Sequence, residues 1–164
     1  MTVTDYATYI AGLPRVLAAA AALFRDDRGR VLVVKPNYRE GWALPGGTVE
    51  SDTGETPRQA ARRETAEEIG LDVPLGPLLT VDWVQSTLRP PIVAYVYDGG
   101  VLSEERFAEI RLQDEELLSW KLIERSEVTA HLPGSLGLRV LAALDVLAGG
   151  QGPAELENGL PAAN

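Results

Sequence analysis

Cysteine is absent from this 164-residue chain, and histidine occurs once, as His131. The first absence removes a disulfide framework, a zinc–thiolate site and a cysteine nucleophile together. The second removes any centre that needs two imidazoles. Positive charge is scarce as well: 15 lysines and arginines face 24 aspartates and glutamates, for a net charge of −9. A chain of that sign is a poor match for a run of nucleic-acid phosphates, which calls for a basic face. A small phosphorylated ligand remains compatible, because a bound cation reverses the local field. Long apolar runs are also missing. The longest, residues 16–24, is mostly alanine and far short of membrane-spanning length. The N-terminus lacks the basic flank of a secretory signal and has Asp5 in its place. A cytoplasmic protein is therefore expected, with neither a membrane nor a nucleic-acid polymer as partner.

What is present suits one domain with a substantial core. Residues 1–14 read as an N-terminal lead-in of unassigned structure and 15–148 as the domain. GGQGPAELENGLPAAN (149–164) has little to bury and is expected to be a flexible tail. VLAAAAALF (16–24) has the alanine content of a helix, but DDRG (26–29) is a turn signal and RVLVVK (30–35) an evident strand. A hairpin is therefore predicted. Further strands are expected at 78–84, 92–97 and 117–123, with an acidic connection at 103–116 and a helix at 138–147. Strands interleaved with two helices point to an α/β fold with a mixed sheet.

The informative stretch is GGTVESDTGETPRQAARRETAEEIGL (46–71). Its helix has a start and a stop: Thr56 as N-cap, Pro57 in the first position, Gln59 completing a capping box, and Gly70 ending it. On that helix Glu64, Glu67 and Glu68 fall within an arc of about 100°. Like charges so spaced repel by a few tenths of a kcal/mol per pair. Arg63 can pair with Glu67 but cannot neutralise three acids. A hard divalent cation would turn the repulsion into attraction, since magnesium takes oxygen ligands and bridges carboxylates to phosphates. The Gly46–Gly47 loop leaves room for close backbone approach. A solvated, Glu- and Arg-rich helix face is the competing interpretation.

These residues carry a family likeness. Glu55 is followed by seven residues and then Arg63-Glu64-Thr65-Ala66-Glu67-Glu68-Ile69-Gly70-Leu71, with WALPGG (42–47) upstream. The pattern resembles the signature of the Nudix hydrolases, except that seven residues and not five separate Gly47 from Glu55. The two additional residues fall within ESDTG (50–54), where a bulge is expected because surface loops tolerate insertion. The resemblance implies a Nudix-type α/β/α sandwich with a mixed β-sheet. It also implies Mg2+- or Mn2+-dependent hydrolysis of a diphosphate linkage in a nucleoside diphosphate derivative, either a nucleoside triphosphate or a sugar nucleotide such as ADP-ribose. By position it makes Gly47, Glu64, Glu67 and Glu68 metal ligands. Glu55 and Arg63 become supports of the loop, and Glu64 or Glu67 an acceptor of the water's proton. A further carboxylate is expected from across the site, with Glu115 and Glu116 as the nearest candidates. A homodimer is a partner the family allows. The alternative is a Nudix-like nucleotide-binding or regulatory module without catalysis, against which the intact run from Arg63 to Leu71 argues.

Weaker signals concern the substrate. Lys35, Arg39 and Arg89 have the charge to meet phosphate, and Tyr38, Trp83, Tyr95 and Tyr97 the faces to stack on a base. Solvated cations and core aromatics are the ordinary alternatives, and of these residues Arg39, Lys35 and Tyr95 are retained as candidates. Trp42 is expected to pack, and His131 to be a lone exposed side chain.

Overall fold

The alanine-rich run is a strand. β1 (Leu17–Arg25) turns through Asp26–Gly29 and pairs antiparallel with β2 (Val31–Pro36) at Arg25 and Val31. Its helical propensity is overridden by partners on both edges. Along its whole length β1 also runs parallel to β5 (Ile92–Val101). The computed structural model that shows this describes residues 3–164.

The sheet is mixed. Its order is β6 (Leu117–Ile123), β2, β1, β5, β4 (Leu78–Val84), β7 (Ala154–Glu157) and β8 (Leu160–Pro161), with short β3 (Gly46–Thr48) joining β1 at Ala19–Ala21. Side chains on β1 alternate between two layers, as the strand period demands. Ala20, Ala22 and Phe24 meet α2 (Pro57–Ile69) through Ala60, Ala61 and Ile69. Ala21 and Leu23 meet α5 (Ser135–Gly149) through Val140 and Ala143. Both helices bury small or β-branched residues against the sheet.

The lead-in forms α1 (Val3–Ala11), with Tyr6 and Tyr9 exposed; residues 1–2 lie outside the described residues. The acidic connection is partly ordered as α3 (Glu104–Ala108), whose Phe107 stacks on Trp120 at 5.8 Å. A four-residue α4 (Val128–His131) leads into α5. The expected flexible tail is a correction: β7 pairs parallel with β4, and Leu156 is buried. The physical reason is the open edge of β4, whose unpaired backbone groups a nearby chain segment satisfies. Among the described residues, no helix is long and apolar enough to cross a membrane.

Candidate active site

The local signals at α2 operate as read. Thr56 Oγ1 accepts the Gln59 amide at 3.2 Å, and Gln59 Oε1 accepts the Thr56 amide at 2.9 Å. Gly70 ends the helix at φ 71°, a left-handed conformation that favours glycine. With both ends set, the angular positions of residues 63–68 are fixed against the sheet.

Arg63 ties the element together. Its Nε and Nη2 donate to the two oxygens of Glu55 at 2.6 and 3.1 Å, and Nη2 also donates to the Thr48 carbonyl at 3.2 Å. Nη1 donates to Glu64 Oε1 at 3.1 Å and Glu67 Oε2 at 3.0 Å. The Arg63 guanidinium holds the Glu55 carboxyl below its ordinary range, against a smaller opposing effect of burial. Glu55 Oε2 accepts the Glu50 amide at 2.8 Å, which closes the excursion that the additional residues create. That excursion is a single 3-10 turn, Ser51–Thr53.

The three helix glutamates do not share one environment. Glu68 is buried at 5% exposure, and its Oε2 accepts the Gly46 amide at 3.2 Å. Burial pushes its carboxyl up to about 8; the Gly46 amide opposes this, the Glu64 and Glu116 charges add to it, and Arg39 opposes it. Glu64 is half-buried and raised by burial, with Arg63 opposing and Glu67 and Glu116 adding. Glu67 is half-exposed and drawn onto Arg63. Among the described residues no three carboxylate or imidazole side chains stand ready as a metal cage. Of the two candidates from across the site, Glu116 acts electrostatically on Glu64 and Glu68. The backbone carbonyl of Glu115 accepts Asn37 Nδ2 at 2.6 Å.

Gly47 has its own constraint. A Cβ there would sit 2.5 Å from Glu64 Oε1. The obstructing atom is the end of a flexible side chain, so Gly47→Ala should fold but displace the Glu64 carboxylate. We expect turnover to fall about tenfold or more with the melting temperature nearly unchanged, as measured by paired kinetics and thermal unfolding.

Beside Gly46–Thr48 opens a cleft of about 350 Å³, lined by β1, β5, β4 and the start of α5. Arg39, Arg89, Tyr38 and Tyr95 line it. Lys35 does not: its Nζ donates to the Gly41 carbonyl at 3.1 Å, so its positive charge is engaged outside the cleft. Tyr97 is buried on the α2 side, and Trp83 lies outside the lining on β4. His131 is not a lone side chain. Its Nε2 lies 2.7 Å from Lys121 Nζ, and its ring meets Trp42 edge-on at 6.4 Å. The cleft also contains Arg139, which no motif marks. The available signal was one arginine inside the otherwise apolar run LGLRVLAAL (136–144).

Glu64, Glu67, Glu68 and Glu116 offer carboxylate oxygen only, the donor type that a hard divalent cation takes while keeping several waters. Glu68 receives one amide donor against two neighbouring acids, so its surroundings are short of positive charge. The residues present therefore fit such an ion by donor chemistry, while their side chains are not gathered around one point among the described residues.

A mixed sheet between helices, with a glycine strand running into a carboxylate-bearing helix, defines the class: a Nudix-type α/β/α sandwich. A model of the NUDIX domain matches residues 14–143. A MutT-like protein of Streptomyces ambofaciens is 33% identical over 141 residues, covering 84% of this chain and 79% of the relative. An 8-oxo-dGTP diphosphatase of Haemophilus influenzae is 34% identical over 61 residues, covering 35% of this chain and 43% of that protein. The NUDIX domain of NrtR from Shewanella oneidensis, solved with ADP ribose, superimposes with a TM-score of 0.66 at 18% identity. That superposition spans 90% of this chain and 99% of the other, and shows the shared fold. The chain belongs to the Nudix hydrolase family.

Proposed function

We propose that this chain is a magnesium- or manganese-dependent diphosphatase that splits the diphosphate linkage of a nucleoside diphosphate derivative. The candidate substrates are a nucleoside triphosphate and a sugar nucleotide of the ADP-ribose type. The observation that carries the reading is the buried Glu68, crowded by Glu64 and Glu116 beside a cleft whose wall includes Arg39 and Arg89. The Haemophilus relative, a diphosphatase of a modified nucleoside triphosphate, supports it, as does the ADP ribose bound to the Shewanella domain.

In this reading Glu64, Glu67 and Glu68 hold the cation, with Glu116 and the Gly47 backbone as further ligands. A bound divalent cation supplies positive charge to phosphate oxygens and acidifies a water. Arg63 holds Glu64 Oε1, which leaves Oε2 to accept the proton of the attacking water. Arg39 and Arg89 meet the substrate's phosphate oxygens from the cleft wall. Arg63 and Glu55 keep the glycine strand and the helix in one register, so these groups stay aligned through turnover.

The test is phosphate or monophosphate release across nucleoside triphosphates, ADP-ribose, sugar nucleotides and dinucleoside polyphosphates, with magnesium, manganese or chelator. Metal-dependent turnover of one group is the expected result. Glu67→Gln should remove it with little change in thermal stability, because the carboxylate is half-exposed. An unchanged rate in that variant would end its assignment as a ligand. Tight nucleotide binding without turnover would instead favour a binding module.

A further inference from the structure

Arg139 is the cleft residue that the diphosphatase reading leaves without a task. It projects from α5, its side chain is 11% exposed, and its Nε donates to Asp82 Oδ2 at 2.8 Å. Asp82 is fully buried on β4, and its other oxygen accepts the Gly159 amide at 3.1 Å, from the turn between β7 and β8. A buried ion pair of this kind contributes little net stability over apolar packing. The arginine's remaining donors are scarcely used. Nη2 reaches Ser135 Oγ at 3.4 Å, and Nη1 has no partner among the described residues.

Strand register fixes where this group stands. Thr48 pairs with Ala19, Ala19 with Ala94, and Ala94 with Asp82, a single row across four strands. Three interstrand steps of about 4.8 Å place Asp82 roughly 14 Å from the glycine strand. Between them the floor is alanine, which leaves the trough open. Arg39, at the near end, acts on Glu68. The two ends are thus separated by about the reach of an extended nucleoside triphosphate, from its terminal phosphate to its base.

Charge decides what suits the far end. Asp82 already neutralises Arg139, so the pair offers N–H donors without net positive charge. That favours neutral acceptors over a phosphate. The planar guanidinium suits two adjacent acceptors, as on the O6 and N7 edge of a 6-oxopurine, whereas adenine presents a donor at its 6-position. We infer that Arg139 is a specificity-determining residue that reads the O6/N7 edge of a 6-oxopurine base, positioned by Asp82 and the C-terminal turn. The substrate's orientation, phosphates toward Gly46–Gly47, rests on the diphosphatase reading.

The test measures equilibrium binding of GMP, IMP and AMP, and kcat and KM for GTP, ITP and ATP with magnesium. It compares wild type, Arg139→Lys and the double variant Asp82→Asn/Arg139→Gln, which leaves no buried charge unpaired. Wild type should favour GMP and IMP over AMP by roughly 10- to 100-fold, and both variants should bring the three within about threefold. The change should fall on KM. A wild type indifferent to the base, or variants that keep the preference, would overturn the inference. If a variant does not fold, the wild-type preference alone decides. Hydrolysis without base preference would sink this inference and leave the diphosphatase reading standing. Selective GMP binding lost in Arg139→Lys, without hydrolysis, would do the reverse.

Discussion

Glu68→Gln should lower metal-dependent turnover by about 10²-fold or more while making the metal-free protein more stable at about pH 8. Both effects come from one burial. The Glu68 carboxyl sits among acids with a single amide donor, and its folded-state pKa is raised to about 8. An acid whose pKa is higher folded than unfolded binds more protons in the folded state. The stability it contributes is therefore full at low pH and lost as pH rises from the unfolded value toward about 8. Glutamine mimics the protonated acid and can still accept the Gly46 amide, so it removes that slope. The change amounts to a few kcal/mol in order of magnitude. Thermal unfolding of both proteins from about pH 5 to about pH 8, with and without magnesium, measures it. Magnesium should flatten the wild-type slope by replacing the proton, and leave the variant unmoved. A wild type whose metal-free stability rises across that range would refute the assignment.

Gly46→Ala should fail at a different level, in folding. A Cβ at Gly46 would stand 2.4 Å from the Ala20 carbonyl oxygen and 2.6 Å from the Ala21 Cα. Both are backbone atoms of a central strand, and neither can move without disturbing the β1–β5 pairing. We expect a loss on the order of 3 kcal/mol or more, read as a lower urea midpoint. At Gly47, one residue on, the obstacle is a side-chain end and the cost is catalytic. The contrast between adjacent glycines tests the geometry of the strand directly. Equal melting temperatures for the two variants would contradict it.

Much of the site was legible because its signals are local. Thr56, Gln59 and Gly70 set α2 from within their own sequence window, and the Arg63 to Leu71 run carried the family likeness. β1 was legible only through its neighbour, since its alanines favour helix and the Asp26–Gly29 turn decides otherwise. What escaped depends on distant partners. Helical spacing groups Glu67 with Glu64 and Glu68, but it does not show that Arg63 bonds Glu64 and Glu67 through one nitrogen. Between Glu115 and Glu116 no local signal chooses, because the choice rests on how the chain enters β6 at Leu117. Lys35 was claimed by a carbonyl six residues on, at Gly41. The tail and Arg139 share one cause: Leu156 and Gly159 pack onto β4, and the Arg139 partner, Asp82, lies 57 residues away.

The closed circuit at Arg63 has a consequence for how this fold can vary. Arg63 grips Glu55, and Glu55 grips the Glu50 amide, so residues 50 and 55 form the two ends of a fixed chord. Residues 51–54 are an arc hung on that chord. Lengthening the arc leaves the chord alone, which is how two additional residues fit without reaching Glu64 or Glu68. The length of this segment is thereby uncoupled from the chemistry beside it. Peptides or reporter tags inserted within residues 51–54 would ride outside the site, whereas a single-atom change at Glu55 would open the circuit.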